Sequence, residues 1–279
     1  MVVAVLGASG QLGQAIKSIA SKHNSITFYY ADSEEADITD KNSLTVFFEK
    51  TKPDFCINAA AYTAVDKAEN DADTAHLINV TGAKNIAEVC SNFETTLLHI
   101  STDFVFDGTK NTPYTEEDET NPQSVYGATK RDGEIEIQQT LNKHFIVRTS
   151  WLYSQFGNNF MKTMLRLAAE RPSLNIVDDQ TGSPTNAVDL AETLITILLS
   201  DSKKYGIYHY SNAGETTWFG FAREIFNQNN VEVDLHPIPT SGYPVPAARP
   251  AYSVMDTSKI KSVFGIEIDH WETALTKTV

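Results

Sequence analysis

The sequence predicts a doubly wound α/β fold, in which a parallel sheet carries helices on both faces and is followed by a smaller C-terminal α/β domain. Two observations predict it. Short β-branched apolar runs alternate with stretches of helical periodicity over roughly the first 150 residues, the pattern of consecutive βαβ units. The first apolar run, Val2 to Leu6, leads straight into Gly7-Ala8-Ser9-Gly10-Gln11-Leu12-Gly13. Glycines spaced G-x-x-G-x-x-G between a strand and a helix form a Rossmann-type dinucleotide turn.

Each element follows from its residues. Val2 to Leu6 reads as a strand buried on both faces. Gln14 to Ser21 reads as a helix, since Leu12, Ile16 and Ile19 share one face. Ile26 to Tyr30 is a second strand, Asn42 to Lys50 a helix, and Pro53 opens a third strand at Phe55-Cys56-Ile57-Asn58. Asp71 to Asn92 keeps helical periodicity through Leu77, Ile78, Val80, Ile86 and Val89, and Leu97 to Ile100 is the next strand. Asp107 to Pro122 is rich in Thr, Glu, Asp and Pro, as expected of a surface loop near a site. A helix follows Pro122, then a strand at Phe145 to Arg148. Helices are expected at 159–170, 189–199 and 218–227, with strands at 174–177 and 205–210. The stretch Pro237 to Pro250 holds five of the ten prolines and is expected to be irregular. Residues 1–150 form the expected dinucleotide-binding domain. Residues 151–279 are mainly a substrate domain, interleaved with the first where the chain passes back into the sheet.

Composition excludes several classes. The chain is 41% hydrophobic and 21% charged, with a formal net charge of −14. Nucleic acid and anionic membranes require a basic footprint that this balance does not supply. No apolar stretch approaches the roughly 18 residues of a membrane span. Met1 to Leu6 lacks the basic region of a signal peptide, so a cytoplasmic location is expected. Cys56 and Cys90 read as buried reduced thiols, and two Cys without nearby His make no zinc site.

Three motifs carry chemistry. The glycine turn, from Gly7 through Ser9, Gly10, Gln11 and Leu12 to Gly13, lets a pyrophosphate approach the backbone at a helix N-terminus. At the end of the second strand Tyr30, Ala31 and Asp32 are the candidates to face the adenosine ribose. An acid there accepts from the 2′-OH and repels a 2′-phosphate, and no Arg or Lys lies between Lys22 and Lys41. The cofactor is NADPH or NADH, with NADH slightly favoured. Asp37 and Ile38 flank the adenine in this reading; the alternative for Asp37 is a helix cap. Ala59, Ala60, Ala61, Tyr62 and Thr63 follow the third strand, where small side chains let a cofactor lie over the backbone. The second motif is Ser101-Thr102-Asp103, at the carboxyl end of a parallel strand where ligands bind in open α/β sheets. The third is Tyr126 and Lys130, four apart and so on one helix face. An ammonium near a phenol lowers its pKa, making Tyr126 a usable general acid. In this order the three motifs read as a site that moves a hydride and a proton onto a carbonyl.

The chain resembles the extended short-chain dehydrogenase/reductases, and within them the dTDP-4-dehydrorhamnose reductase family. The resemblance covers nearly the whole length. Besides the three motifs it rests on Asn58 to Glu69, Ser101 to Gly108, Arg148-Thr149-Ser150-Trp151, Gly157-Asn158-Asn159-Phe160, Asp179 to Thr185, and Arg249-Pro250. It implies NAD(P)H-dependent reduction of the C4 ketone of dTDP-4-dehydro-L-rhamnose. By position, Tyr126 gives the proton to O4, Lys130 bonds the nicotinamide ribose, and Thr102 polarises O4. Trp151 packs on the sugar, unless it is a core residue. Val65, Asp103, Asn159 and Arg249 are further substrate candidates, Arg249 toward the diphosphate or else in a surface ion pair. Some members form dimers bridged by Mg²⁺ on glutamates. Here those stretches read Gln14-Ala15-Ile16 and Ala187-Val188-Asp189, so neither metal nor that dimer is expected, and the oligomeric state stays open. Two other functions compete: a reductase or epimerase for another nucleotide-linked ketosugar, and a non-catalytic regulatory subunit.

Overall fold

The computed structural model describes residues 1–278. Its centre is a six-stranded parallel sheet of β1 (Val2–Leu6), β2 (Thr27–Ala31), β3 (Phe55–Asn58), β4 (Thr96–Thr102), β5 (His144–Thr149) and a late strand, Gly206–His209, in the order late strand, β5, β4, β3, β1, β2. Residues 206–209 pair with 145–148, so the chain does re-enter the first sheet. Strand alternation divides the core. Val3 and Val5 of β1 face one layer, and Ala4 and Leu6 face the other.

The helices that cover these faces are amphipathic. On one side lie α1 (Gln11–Ile19) and a late helix at Ala187–Leu199, which bury Ile16, Leu190, Ala191 and Leu194 together. On the other side lie α2 (Lys41–Thr51), the helical run between β3 and β4, and the helix after Pro122. That run comprises α3 (Val65–Ala68), α4 (Ala72–His76), a wide π turn at Leu77–Thr81, and α5 (Gly82–Asn92). The helix after Pro122 is α6 (Val125–Thr140), N-capped by Ser124, whose Oγ accepts from Gly127 N at 3.2 Å.

After β5 the chain makes short pairings that no periodicity marks. They are β6 (Leu152–Tyr153) with β9 (Thr185–Asn186), and β8 (Thr181–Gly182) with β11 (Thr216–Thr217). Between and beyond them come α7 (Phe160–Glu170), β7 (Ser173–Val177), α8 (the Ala187–Leu199 helix), β10 (the Gly206–His209 strand), α9 (Trp218–Asn229), β12 (Asp234–Ile238), α10 (Ser258–Phe264) and α11 (Trp271–Thr276). The second lobe buries Met161, Met164, Phe221, Ile225 and Trp271 between α7, α9 and α11.

Three expectations about elements shift. Helix α1 begins at Gln11, not Gln14, because Gly10 serves as its N-cap and no side chain caps it. The Asp71 to Asn92 helix is interrupted by the π turn, where Asn79 is buried and tied on both sides to Tyr62. The proline-rich stretch is not irregular from its start, since Pro237 lies in β12 opposite Ile176. That ribbon has only two strands, so proline's missing N–H costs no pairing on the outer edge.

Candidate active site

The carboxyl ends of β1 to β5 open into one cavity of about 940 Å³. Its wall contains Gly7, Ser9, Gly10, Gln11 and Leu12 after β1, Asp32, Asp37 and Ile38 after β2, and Ala59, Ala60, Ala61, Thr63 and Val65 after β3. It also contains Thr102 at the end of β4, Asp103 just after it, Trp151 after β5, and Tyr126 and Lys130 on α6. This is the crevice that open parallel sheets offer to ligands.

The glycine loop is shaped for a ligand that touches backbone. Gly7 has φ +77°, and a Cβ there would stand 2.6 Å from Ala60 N. Since no side chain caps α1, its first N–H groups are left for an anion at the cavity. Asp32 Oδ1 accepts from Ser9 N at 2.8 Å and Ser9 Oγ at 2.9 Å, which ties the loop to the end of β2. Asp37 caps its own turn through Thr39 N, 2.8 Å away. The helix cap proper is Asp40.

Four of the expected residues stand off the cavity wall. Gly13 lies behind the loop, packed on Ala8. Tyr62 turns away, its hydroxyl donating to Asp71 at 3.0 Å and its N–H to Asn79. Asn159 caps α7, and its amide donates to Gln11 Oε1 at 2.8 Å. Its neighbour Asn158 reaches the wall instead. Arg249 forms a two-pronged ion pair with Asp66, at 2.9 and 2.8 Å, which straps the irregular segment to α3. The wall also contains Ser33, Ala36, Thr39, Leu77 and Ile78, none of which belongs to a motif.

Tyr126 comes beside Thr102 because α6 packs tightly on the turn after β4. A Cβ on Gly127 would stand 2.2 Å from Phe104 O, so only glycine permits this approach. Phe104 holds the Tyr126 ring edge-on, with centroids 5.5 Å apart. Burial pushes the Tyr126 pKa up to about 12, a hydrogen bond with Thr102 pulls it down, and the Asp103 charge pushes it up. The expected lowering by Lys130 is not what holds this phenol. Lys130 is 2% exposed and donates to Ile100 O at 2.7 Å; burial pushes its pKa down to about 8.

Asp103 is 2% exposed, and its Oδ1 accepts from Thr102 Oγ1 at 3.0 Å, while Oδ2 has no hydrogen-bond partner among the described residues. Burial pushes its pKa up to about 6. A carboxyl whose folded pKa is raised binds more protons folded than unfolded, so stability falls as pH rises from about 4 to about 6. Asp103→Asn should therefore stabilise the fold at neutral pH by about 1–3 kcal/mol, and the gain should vanish near pH ~4. Urea unfolding of both proteins at the two pH values checks this. An equal gain at both would mean that the charge is not the cause.

Trp151 is held in a left-handed backbone conformation, φ +46°, and lies flat on Trp218, with centroids 3.5 Å apart and planes 9° apart. Trp218 is anchored in turn, its Nε1–H donating to Gln180 Oε1 at 3.1 Å. The stack fixes the ring that lines the cavity. Trp218→Ala should raise the KM of whatever packs on Trp151 about three- to tenfold, the worth of one aromatic stack. Trp218→Phe should recover most of it; an unchanged KM in Trp218→Ala would show that Trp151 needs no backing.

A glycine-turn parallel sheet with Tyr-x-x-x-Lys on the helix beside Thr102 defines an NAD(P)-dependent oxidoreductase of the short-chain dehydrogenase/reductase class. Within that class the chain belongs to the RmlD substrate binding domain family, whose model matches residues 1–279. It is 40% identical over 281 residues to the dTDP-4-dehydrorhamnose reductase of Aggregatibacter actinomycetemcomitans, covering 97% of this chain and 96% of that one. It is 39% identical to the Bacillus subtilis spore coat polysaccharide biosynthesis protein SpsK, covering 98% and 95%. Among solved structures, a dTDP-4-dehydrorhamnose reductase from Clostridium acetobutylicum superposes with a TM-score of 0.95 at 40% identity, covering 100% and 98%. The Bacillus anthracis reductase, solved in complex with NADP, gives 0.96 at 38%, covering 99% and 98%. Among the described residues no helix is long and apolar enough to cross a membrane. No group of three or more His, Cys, Asp or Glu among them is placed to hold a metal.

Proposed function

We propose that this chain is a dTDP-4-dehydrorhamnose reductase that reduces the C4 ketone of dTDP-4-dehydro-L-rhamnose with NADPH or NADH, giving dTDP-L-rhamnose. One observation carries the reading: Tyr126 and Thr102 meet on the wall of the cavity that runs from the glycine loop to Trp151. The names of the full-length relatives support the substrate. A cytoplasmic setting agrees with two buried free thiols, Cys56 and Cys90.

The residues present fit a dinucleotide. The uncapped start of α1 and the close approach of Gly7 to Ala60 leave a cradle for its pyrophosphate. Asp32 takes the adenosine ribose, Asp37 and Ile38 the adenine, and Ala59 to Ala61 with Thr63 the strip between. When bound, NAD(P)H supplies the hydride. The cofactor half comprises residues 1–150 together with α8 and β10. Most of the rest forms the substrate half, with Trp151 and Asn158 among its contributions to the shared wall.

The chain's own work is proton delivery and orientation. Tyr126 keeps its proton through the neutral range, since its pKa is held near 12. An alkoxide forming at O4 is far more basic than a phenolate, so the transfer from Tyr126 still runs downhill. Thr102 and Tyr126 flank O4, Trp151 gives an apolar face to sugar C–H groups, and Val65 and Asp103 bound the same space. Arg249 acts by holding its segment against Asp66. Purified protein supplied with dTDP-4-dehydrorhamnose should oxidise NADPH or NADH, with UDP- and GDP-linked ketosugars as the comparison panel. No turnover with either cofactor, or faster turnover of another sugar, would sink the assignment.

A further inference from the structure

One buried titratable side chain beside the site takes no part in the proton transfer to O4. His99, on β4, is 2% exposed and stands behind Lys130. The hydrogen bonds around it have a direction. Ala60 N–H donates to Asn58 Oδ1 at 3.1 Å. A backbone N–H cannot reverse, so it turns the Asn58 oxygen toward Ala60 and leaves Nδ2 facing His99. Asn58 Nδ2 lies 3.0 Å from His99 Nδ1 and is the donor there. Nδ1 therefore carries a lone pair, and the neutral ring has its proton on Nε2. That Nε2 stands 3.3 Å from Lys130 Nζ, which also donates to Ile100 O at 2.7 Å. The chain Ala60, Asn58, His99, Lys130 thus runs one way and ends on a demand for an acceptor at Nζ. An ammonium has no lone pair to give; an amine has one.

The other groups around Lys130 are few. Glu134 lies one turn further along α6, held by Arg148 of β5 at 2.9 and 2.7 Å, and its charge favours the ammonium. Tyr126 lies one turn back on α6. Burial most of all, then the charge on Lys130 and His144 of β5, keep His99 neutral.

We infer that His99 is a positioning residue for Lys130: its Nε2–H stabilises the amine, so that Lys130 readily gives up a proton toward the active site. The consequence rests on the reductase reading, although the geometry does not. Once the Tyr126 O–H bond has broken and its proton has gone to O4, the phenolate is reprotonated through water in the cavity, and the Lys130 ammonium supplies that proton. The amine left behind accepts from His99 and regains its proton from solvent water.

The test is NMR on the cofactor-free protein, so its outcome is separate from any turnover result. With ¹⁵N-labelled histidine, His99 should show the Nε2–H tautomer and stay neutral on the acid side of an ordinary histidine's titration. Asn58→Asp presents acceptors to both Ala60 and His99. It should flip the ring to the Nδ1–H tautomer and raise the Lys130 midpoint, read from its ¹³Cε shift, by about one pH unit or more. His99→Gln keeps the same polarity, since its amide oxygen accepts from Asn58 and its NH₂ faces Nζ, and should leave the midpoint near the wild-type value. An Nδ1–H tautomer or an imidazolium in the wild type overturns the inference, as does an unmoved tautomer in a folded Asn58→Asp. If Asn58→Asp does not fold, the wild-type tautomer and the His99→Gln midpoint decide the question.

Discussion

Tyr126→Phe should lower kcat about 10²- to 10⁴-fold, the usual worth of a positioned general acid, while leaving cofactor affinity nearly unchanged. The structure makes this a clean removal. The ring is held edge-on by Phe104 at 5.5 Å, a contact that phenylalanine keeps. The hydroxyl meets Thr102 and no backbone group of α6, so the helix loses nothing. Lys130 remains anchored to Ile100 O at 2.7 Å and continues to shape the floor. The substrate KM should move little, because the phenol acts on charge that develops at O4 in the transition state rather than on the ketone at rest. Single-turnover kinetics with saturating cofactor check this, and a variant retaining a tenth of wild-type kcat would mean that the proton reaches O4 from another group.

How far the sequence exposed this site depends on the range of the interactions. The strand Phe55 to Asn58 and the turn at Gly7 are local devices, written in adjacent residues, and the structure has them where the pattern puts them. The Thr102, Tyr126 and Lys130 trio was legible because each sits on its own motif at the end of a strand or on one helix face. What escaped is non-local. Arg249 meets Asp66 across 183 positions, and Trp218 meets Trp151 across two unrelated segments. No periodicity records either pair. The strands Leu152–Tyr153 and Thr181–Gly182 are two residues long, too short for alternation to show. Tyr62 lies within a cofactor-type motif yet turns inward, because the π turn at Leu77–Thr81 brings Asn79 up to hold its backbone. The Tyr126 pKa is non-local for a related reason: burial sets it, with Thr102 and Asp103 adding opposite effects. Spacing places Lys130 on the same face, but only the packed structure shows its Nζ donating to Ile100 O and facing His99.

Gly7→Ala should raise the cofactor KM by about 10² and lower stability by about 2–4 kcal/mol, the sum of a left-handed alanine and an overpacked contact. Gly7 has φ +77°, and its added Cβ would stand 2.6 Å from Ala60 N, 2.8 Å from Ala60 Cα and 2.9 Å from Ala59 C. All three atoms are backbone, so no rotamer change relieves the clash. Nor can the loop slide as a unit. Gly7 N donates to Ala31 O at 2.9 Å, Ala59 N donates to Leu6 O at 3.0 Å, and Leu6 pairs with Asn58 in the sheet register. Relief must come from lifting the glycine loop off the strip at Ala59 to Ala61, the surface against which the pyrophosphate and ribose would lie. kcat at saturating cofactor should change little, since Thr102, Tyr126 and Lys130 rest on β4 and α6 and not on this loop. Gly10→Ala is the control. Its Cβ would meet only Gly7 O, at 3.2 Å, and its φ of −68° is open to alanine, so its cofactor KM should rise far less. Cofactor titration by fluorescence and urea unfolding of the two variants measure both quantities, and equal losses at the two glycines would show that the close approach to Ala60 is not what the cradle depends on.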